Sequence, residues 1–338
     1  MMYVHALSSS RVFLSALVSV TICWAAEFFP RDAAEQMVKL EKSSNKWFCF
    51  KFSRDKAIVA GGGDEIKVWD TKTGKLRMSA RTGTYHGPDI SLSSDGKLIT
   101  GASNRPRILV WNTESGKQTH SFDSGNAERI VIAVRFRPDG KVLATGNGDD
   151  TISLLDISTG SEALLRQNMS HSAAIDFSED GKLLASGGRD GTVRIWDVAK
   201  KTEKACLKGF QGRVNEVVFG GGDRFLASDD VVSNGKNADS SGVIILHRLQ
   251  DGKEVARFPG ASSPTLTEDG RYFCAISDDD RGFSIWNTST GAKVFQHQAK
   301  GQARFRAVEF VSEGKVICVV EDRKELSLMQ VSTGLGNK

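Results

Sequence analysis

The chain has 338 residues, of which 39% are hydrophobic and 25% are charged. This composition is typical of a globular protein and excludes a largely disordered chain. With 34 Gly and only 6 Pro, the chain suits many tight turns between strands. Its formal net charge of +4, with acids and bases interspersed, is too small to indicate a nucleic-acid-binding protein.

The first apolar segment runs from residue 12 to residue 26, between Arg11 and Glu27, and contains no charge. It is shorter than the roughly 20 residues that a membrane-spanning helix needs. Its length and its flanks predict a signal peptide over residues 1–25, followed by a linker over 26–34, so we expect an exported protein. The alternative is a buried N-terminal helix. Lipid attachment at Cys23 is disfavoured because Ile22 stands where a small residue is needed.

Four cysteines remain after this segment, and no two of them form a CxxC pair. The sequence therefore has no zinc or redox motif of that kind, and the wide spacing gives no disulfide framework. We expect Cys49, Cys206, Cys274 and Cys318 to be small buried side chains.

A repeated hairpin follows along the rest of the chain, and seven copies are present. Their last strands read IKVWD (66–70), ILVWN (108–112), SLLDI (153–157), VRIWD (193–197), IILHR (244–248), FSIWN (283–287) and LSLMQ (326–330). The Trp position recurs at steps of 42, 44, 41, 51, 39 and 43 residues. A period near 43 is that of a propeller blade.

Each unit except the last contains four short runs rich in β-branched residues, separated by turn sequences. In the third unit these runs are VIAVRF, KVLATG, TISLLDI and SEALLR, with PDG, GNGDD and STG nearby. Gly and Asp tolerate the backbone conformations of tight turns, so each unit is predicted to be a four-stranded antiparallel sheet.

At this point the sequence resembles the WD-repeat, or G-protein-β-like, β-propeller family. GRDGTVRIWD (188–197) is close to the family motif, and the resemblance covers most of the chain after the apolar segment. It implies an all-β, seven-bladed propeller over residues 35–333 with a short tail at 334–338. The segment 35–43 is expected to complete the last blade, because that blade lacks an outer strand and an open edge would be left unpaired.

The resemblance also implies a structural role for the Trp-Asp residues. In the family a His, a Ser or Thr, an Asp and the Trp form a buried hydrogen-bonded chain, and this sequence lacks the His. Departures occur at Leu155 and His247, which replace Trp. We therefore predict packing and turn-holding roles for Asp149, Ser186, Asp190, Trp69, Trp111, Trp196 and Trp286.

Catalytic and metal motifs are missing from the sequence. The histidines are scattered singly, and there is no HExxH, GxSxG or phosphate loop. We predict that the protein is not an enzyme and has no catalytic, cofactor or metal residues. The alternative is a ligand- or cation-binding site, or an enzyme, at the central channel, where Asp176, Glu216 and Glu309 are the acids on the predicted innermost strands.

Function in this architecture is expected at the loops of one face, where Arg and aromatic side chains suit a protein interface. The candidate partner-binding residues are His86, Arg105, Arg189, Phe210, Arg213, Arg281 and Arg323. The segment 228–242 adds about ten residues to the fifth repeat, and its composition fits either a mobile or a functional loop. We expect a monomer that binds a protein or peptide partner, with no nucleic acid and no membrane span in the mature form.

Overall fold

In the computed structural model the described residues are 36–41, 47–63, 65–81, 89–102, 105–123, 126, 129–166, 172–210, 212–222, 224–231, 242–299, 301–312, 315–322 and 325–335. Across them, twenty-eight β-strands form seven four-stranded antiparallel sheets. The architecture is therefore all-β, and the repeated hairpin in the sequence corresponds to the repeated sheet. We number the sheets as blades in chain order, from the innermost strand of each blade outward.

Blade 1 contains β2 (Trp47–Phe52), β3 (Ile58–Gly63), β4 (Ile66–Asp70) and β5 (Leu76–Ala80). Blade 2 contains β6 (Ile90–Leu92), β7 (Leu98–Gly101), β8 (Arg107–Asn112) and β9 (Gln118–Asp123). Blade 3 contains β10 (Val131–Phe136), β11 (Val142–Asn147), β12 (Thr151–Asp156) and β13 (Glu162–Arg166). Blade 4 contains β14 (Ser172–Phe177), β15 (Leu183–Gly188), β16 (Val193–Asp197) and β17 (Thr202–Leu207).

Blade 5 contains β18 (Arg213–Gly220), β19 (Phe225–Val231), β20 (Gly242–Arg248) and β21 (Lys253–Pro259). Blade 6 contains β22 (Ala261–Leu266), β23 (Tyr272–Ser277), β24 (Gly282–Asn287) and β25 (Lys293–Gln298). Blade 7 contains β26 (Arg304–Ser312), β27 (Lys315–Asp322) and β28 (Glu325–Ser332), and its outer strand is β1 (Gln36–Lys39).

The turn between the first two strands of a blade shows why its sequence recurs. In blade 4 the Asp180 carboxylate accepts hydrogen bonds from the Lys182 backbone N–H at 2.9 Å and from the Ser178 hydroxyl at 2.9 Å. Gly181 follows with a φ of 68°, a left-handed conformation that glycine adopts without the cost a side chain would bring. The SEDGK sequence therefore fixes the hairpin geometry locally.

The N-terminal strand completes the last blade, as the sequence predicts. β1 pairs antiparallel with β28, from Gln36 opposite Gln330 to Lys39 opposite Ser327. Two residues beyond this strand, the Glu41 carbonyl accepts a hydrogen bond of 2.7 Å from the Trp69 indole N–H of blade 1. Because Glu41 follows the closing strand, this hydrogen bond ties that strand to blade 1 as well as to blade 7.

The hydrophobic core is divided among the contacts between neighbouring blades. Each of seven buried clusters in the described chain combines residues of two consecutive blades, and one of them joins blade 7 to blade 1. In that cluster Trp69 packs with Val319 and Leu328. In another, Trp196 of blade 4 packs with Leu154 of blade 3. The Trp position therefore fills the space against the preceding blade, and the ring closes through the same kind of contact.

Several predictions from the sequence lie outside the described residues. These are the signal peptide at 1–25, the linker at 26–34, residues 232–241 of the long loop, and the candidate residues His86 and Arg323. Across the residues that are described, no helix has the length and apolar character that crossing a membrane requires.

Candidate functional site at the central channel

The Trp-Asp residues of blade 4 hold the scaffold together. The Trp196 indole N–H donates to the Ser186 hydroxyl at 2.9 Å, and both side chains are buried. Asp190 lies on an exposed turn, where its carboxylate accepts hydrogen bonds from the Thr192 backbone N–H at 3.1 Å and from the Thr192 hydroxyl at 2.9 Å. Ser186 and Trp196 therefore act in packing, and Asp190 holds a turn.

The other predicted tryptophans also pack between blades. Trp69 is fully buried and Trp111 is 5% exposed. Trp286 is half-buried and contacts the rings of Phe258 at 5.1 Å and Phe273 at 5.5 Å between ring centroids. These contacts suit the large apolar surface of an indole, as packing between blades requires.

Blade 3 contains a buried polar network that no motif in the sequence indicates. Asn147, which is completely buried, accepts a hydrogen bond from Thr145 at 3.0 Å and donates to Ser153 at 3.0 Å and Thr151 at 3.1 Å. Thr151 in turn donates to Asp149, a predicted structural residue that also binds Arg129 at 3.1 Å. In this blade Leu155 replaces Trp, so an amide takes the place of the indole as the organising polar group.

His247 packs as an aromatic side chain in blade 5. It is 3% exposed, and its ring lies 5.6 Å from that of Phe210 between centroids. Burial lowers the pKa of His247, so the imidazole is neutral at physiological pH. Its Nδ1 atom is buried and has no hydrogen-bond partner among the described residues. Phe210 is predicted from the sequence as a partner-binding residue. It is half-buried, and part of its ring surface is covered by His247.

A cavity of about 550 Å³ lies where the innermost strands of the blades meet. Blades 1, 3, 4, 5, 6 and 7 each line it with residues of their innermost strands. Blade 2 contributes Asp89, which immediately precedes β6. The three acids predicted to lie in the channel, Asp176, Glu216 and Glu309, all line this cavity. The cavity is therefore the central channel of the ring.

Each acid in the channel is paired with a cationic side chain. Lys51 of blade 1 lies 3.0 Å from Glu216 of blade 5, which joins two blades across the ring. Lys56 lies 3.0 Å from Glu309. The channel acids are thus neutralised by side chains that the sequence analysis did not single out.

Arg135 pairs with two carboxylates at once. Its guanidinium lies 2.9 Å from Asp89 and 3.6 Å from Asp176, and its side chain is only 15% exposed. It also donates to the backbone carbonyl of Val134 at 2.9 Å. A buried guanidinium with this set of acceptors is a structural ion pair, since losing either side would leave an uncompensated charge.

The same acids accept backbone hydrogen bonds from the next blade. The Asp176 carboxylate accepts from the Phe219 N–H at 2.9 Å, and the Asp89 carboxylate accepts from the Val134 N–H at 3.1 Å. The Ser91 hydroxyl accepts from the Phe136 N–H at 2.9 Å in the same way. The innermost strand of each sheet is an edge whose N–H groups need acceptors, and these side chains supply them.

Burial in the channel shifts two pKa values strongly. Desolvation raises the pKa of Asp176 to about 6, against the opposing effect of Arg135. Desolvation, helped by the charge of Asp89, raises the pKa of the Cys49 thiol to about 12. The thiol is therefore protonated at neutral pH and lacks the thiolate form that a nucleophile or a metal ligand needs.

The pairing of the acids bears on the alternative of a cation site. Asp176, Glu216 and Glu309 each have a cationic or hydrogen-bonding partner within the channel. Among the described residues, no group of three or more His, Cys, Asp or Glu side chains is placed to hold a metal ion. A metal cation would have to displace the existing ion pairs, so the channel acids are better explained as parts of the scaffold.

Two candidate partner-binding residues lie at the rim of this cavity. Arg189, on the turn after β15, and Arg213, at the start of β18, both line it and both are exposed. Their loops touch, because a Cβ atom at Gly191 would lie 3.0 Å from the Gly212 carbonyl oxygen. Gly191 has a φ of 68°, so glycine is favoured at this contact by conformation as well as by space.

The remaining described candidates lie on other blades. Arg105 is exposed before β8 of blade 2, and Arg281 is exposed before β24 of blade 6. Arg281 donates to the Gly301 carbonyl, so it holds a neighbouring loop. The structure thus brings together Arg189, Phe210 and Arg213 at the border of blades 4 and 5, and it leaves Arg105 and Arg281 apart from them.

Comparison with known proteins agrees with this architecture. The family model "WD domain, G-beta repeat" matches residues 116–156 and 165–197, which include most of blades 3 and 4. The propeller domain of Cps50 (Swd1) from Myceliophteria thermophila superimposes with a TM-score of 0.68 at 15% identity, over 87% of this chain and 99% of that one. Together these matches support a WD-repeat β-propeller with four-stranded antiparallel blades.

Similar curated proteins are longer than this chain. Protein tipD of Dictyostelium discoideum is 29% identical over 35% of this chain and 20% of its own length. WD repeat and SOCS box-containing protein 1 of Xenopus tropicalis is 30% identical over 33% of this chain and 27% of its own. The transcriptional corepressor LEUNIG_HOMOLOG of Arabidopsis thaliana is 29% identical over 65% of this chain and 27% of its own. The chain thus spans about a fifth to a quarter of these relatives.

Proposed function

We propose that this protein is a non-enzymatic scaffold that binds a protein or peptide partner through the face of the propeller that carries Arg105, Arg189, Arg213 and Arg281. The proposal depends on one observation, the difference between the residues deep in the channel and those at its rim. Its wall carries ion pairs that hold blades together, whereas its rim presents the exposed guanidinium groups of Arg189 and Arg213. Arginine on a rigid support is a residue type enriched at protein interfaces.

The names of the relatives are compatible with this proposal. One is called a transcriptional corepressor and another carries a SOCS box in its name. Those words describe those proteins. They support the interpretation of a propeller that serves as a module within larger assemblies.

We also propose that the mature protein is exported and monomeric. The support for export is the uncharged apolar segment 12–26 in the sequence. N-terminal sequencing of the protein isolated from its native cell tests this proposal. A new N-terminus near residue 26 is expected, and a protein that still begins at Met1 would contradict export.

The binding proposal is tested by affinity capture with two matched variants. The first replaces Arg105, Arg189, Arg213 and Arg281 with Ala. The second replaces Lys72, Lys97, Lys182 and Lys200 with Ala, which are exposed lysines on turns at the other end of the blades. Both variants lose four positive charges.

We expect the wild-type protein and the lysine variant to capture the same saturable partner, and the arginine variant to lose it. Quantitative mass spectrometry of the captured proteins measures the difference. If the two variants capture the same proteins to the same extent, the proposed face is wrong.

A further inference from the structure

The channel cavity has more positive than negative side chains, and the surplus lies at one place. Six cationic residues line it: Lys51, Lys56, Arg135, Arg189, Arg213 and Arg306. Four acidic residues line it: Asp89, Asp176, Glu216 and Glu309. The location of the surplus follows from the pairing of these groups.

Three of the cations account for all four acids. Lys51 pairs with Glu216, Lys56 with Glu309, and Arg135 with both Asp89 and Asp176. Arg306 is occupied from outside the cavity, since it lies 2.7 Å from Glu321 and 3.3 Å from Asp280. In the part of the chain that the structure describes, Arg189 and Arg213 have no carboxylate partner.

Two neutral donors line the same cavity. The side chains of Asn215 and Ser263 line the cavity and form no hydrogen bond with another described residue. Ser263 has a φ of 53°, and the pairing of β22 with β23 shifts register between Ser262 and Thr265. A bulge of this kind re-aims a side chain.

The loop between blades 4 and 5 extends the positive surface outward. Lys208 is exposed on this loop, two residues before the half-buried Phe210, and Arg213 ends the loop. Lys208 and Phe210 therefore lie on the same loop as Arg213, and this loop is in backbone contact with the turn that carries Arg189. We call this set of four residues the basic rim.

From this geometry we infer that the basic rim binds an acidic peptide segment, one that places two carboxylate side chains on Arg189 and Arg213. The inference deepens the proposed function and depends on it for the choice of face. Charge complementarity selects the ligand, because two unpaired guanidinium groups beside free amide and hydroxyl donors match a pair of carboxylates.

The test uses synthetic peptides and the full-length protein. Fluorescence anisotropy measures the dissociation constants of labelled hexaglutamate, hexaglutamine and hexalysine peptides at low and high salt. We expect the wild-type protein to bind hexaglutamate at least about tenfold more tightly than the other two, with weaker binding at high salt, because exposed charges are screened.

Two charge-reversal variants locate the site. The first combines Arg189→Glu and Arg213→Glu. The second combines Lys182→Glu and Lys200→Glu, on the same blade 4 at its opposite end, and changes the net charge equally. We expect the first to lose at least about tenfold in affinity for hexaglutamate and the second to retain the wild-type affinity. Equal loss in both variants would show a general charge effect and overturn the inference.

A replacement variant and two further measurements complete the test. If the first variant does not fold, Arg189→Gln with Arg213→Gln replaces it, and the same loss is expected. A phosphoserine peptide or inorganic phosphate that binds where hexaglutamate does not would overturn the carboxylate assignment. If hexaglutamate does not bind but the cellular partner is still lost on substituting the four arginines, this inference fails while the proposed function stands.

Discussion

Arg135 and Arg189 line the same cavity but have opposite surroundings. The Arg135 side chain is 15% exposed and contacts two carboxylates, whereas Arg189 is exposed and has no carboxylate partner in the described chain. Arg135 lies in β10, the innermost strand of blade 3. Arg189 lies on a turn that faces solvent. The difference shows that two guanidinium groups of one cavity can have separate roles, since Arg135 is held in ion pairs and Arg189 is exposed to solvent.

The contrast between Arg135 and Arg189 predicts different effects for substitutions in the two places. Substitutions in the middle of the channel should change the free energy of unfolding, and substitutions at the basic rim should change binding. The expected change in stability decreases from the buried ion pairs of the channel to the exposed side chains of the rim.

The largest effect is expected for Arg135→Met. This variant leaves Asp89 and Asp176 without their cation in a poorly solvated channel, which should lower the free energy of unfolding by about 3–5 kcal/mol. Urea unfolding followed by circular dichroism measures the change. The matched control is Arg189→Met, the same substitution at the rim, and equal losses in the two variants would contradict the distinction between middle and rim.

The second prediction concerns pH. The pKa of Asp176 is raised from 3.8 to about 6 in the folded protein, so the folded state binds this proton more tightly than the unfolded state. The stability that this difference contributes is present below about pH 4 and is lost as pH rises through about 6. Relative to Asp176→Asn, the wild-type protein should therefore lose about 1–3 kcal/mol of stability between these pH values.

Unfolding free energies of the two proteins from pH 4 to pH 7 give this difference directly. The Asn side chain retains an acceptor for the Phe219 N–H, so the variant is expected to fold. Asp70 serves as a contrast, because its hydrogen bond with Arg77 lowers its pKa to about 2, and its contribution is lost only in more acidic solution. A difference between wild type and Asp176→Asn that does not change with pH would show that Asp176 does not titrate in this range.

The third prediction concerns the ion pair between Lys51 and Glu216. These residues are 165 positions apart and join blades 1 and 5 across the channel. A double-mutant cycle with Lys51→Met and Glu216→Gln should give a coupling energy of about 0.5–2 kcal/mol, since both side chains are about a quarter exposed. Additivity of the two substitutions would show that the pair does not stabilise the ring.

The fold could be predicted from the sequence because its signals are local and repeated. A turn such as SEDGK fixes its own hairpin, and the missing outer strand of the last unit points to the segment before the first. That prediction is confirmed by the pairing of β1 with β28. The polar network of Asn147 could not be predicted in this way, because it depends on which side chains meet inside blade 3 once Leu155 has replaced Trp.

The site was predicted less well than the fold, and the reason is distance along the chain. Asp176, Glu216 and Glu309 were assigned to the channel by their places on the innermost strands. Their partners Lys51 and Lys56 lie in a different blade, so the sequence gives no signal that these charges cancel. For the same reason, the sequence could not separate Arg189, Phe210 and Arg213, which lie at the border of blades 4 and 5, from Arg105 and Arg281, which lie on other blades.

The smallest change in stability is expected at the basic rim itself. Arg189→Ala and Arg213→Ala remove exposed side chains without a carboxylate partner in the described chain, so each should alter the free energy of unfolding by no more than about 0.5 kcal/mol. Differential scanning calorimetry measures the stability of both variants. The comparison is Ser186→Ala, which removes the hydrogen-bond acceptor of the buried Trp196 indole. That substitution should lower the free energy of unfolding by about 1–3 kcal/mol. A rim variant as unstable as Ser186→Ala would mean that Arg189 or Arg213 supports the fold, and those guanidinium groups would then not be available to an acidic partner.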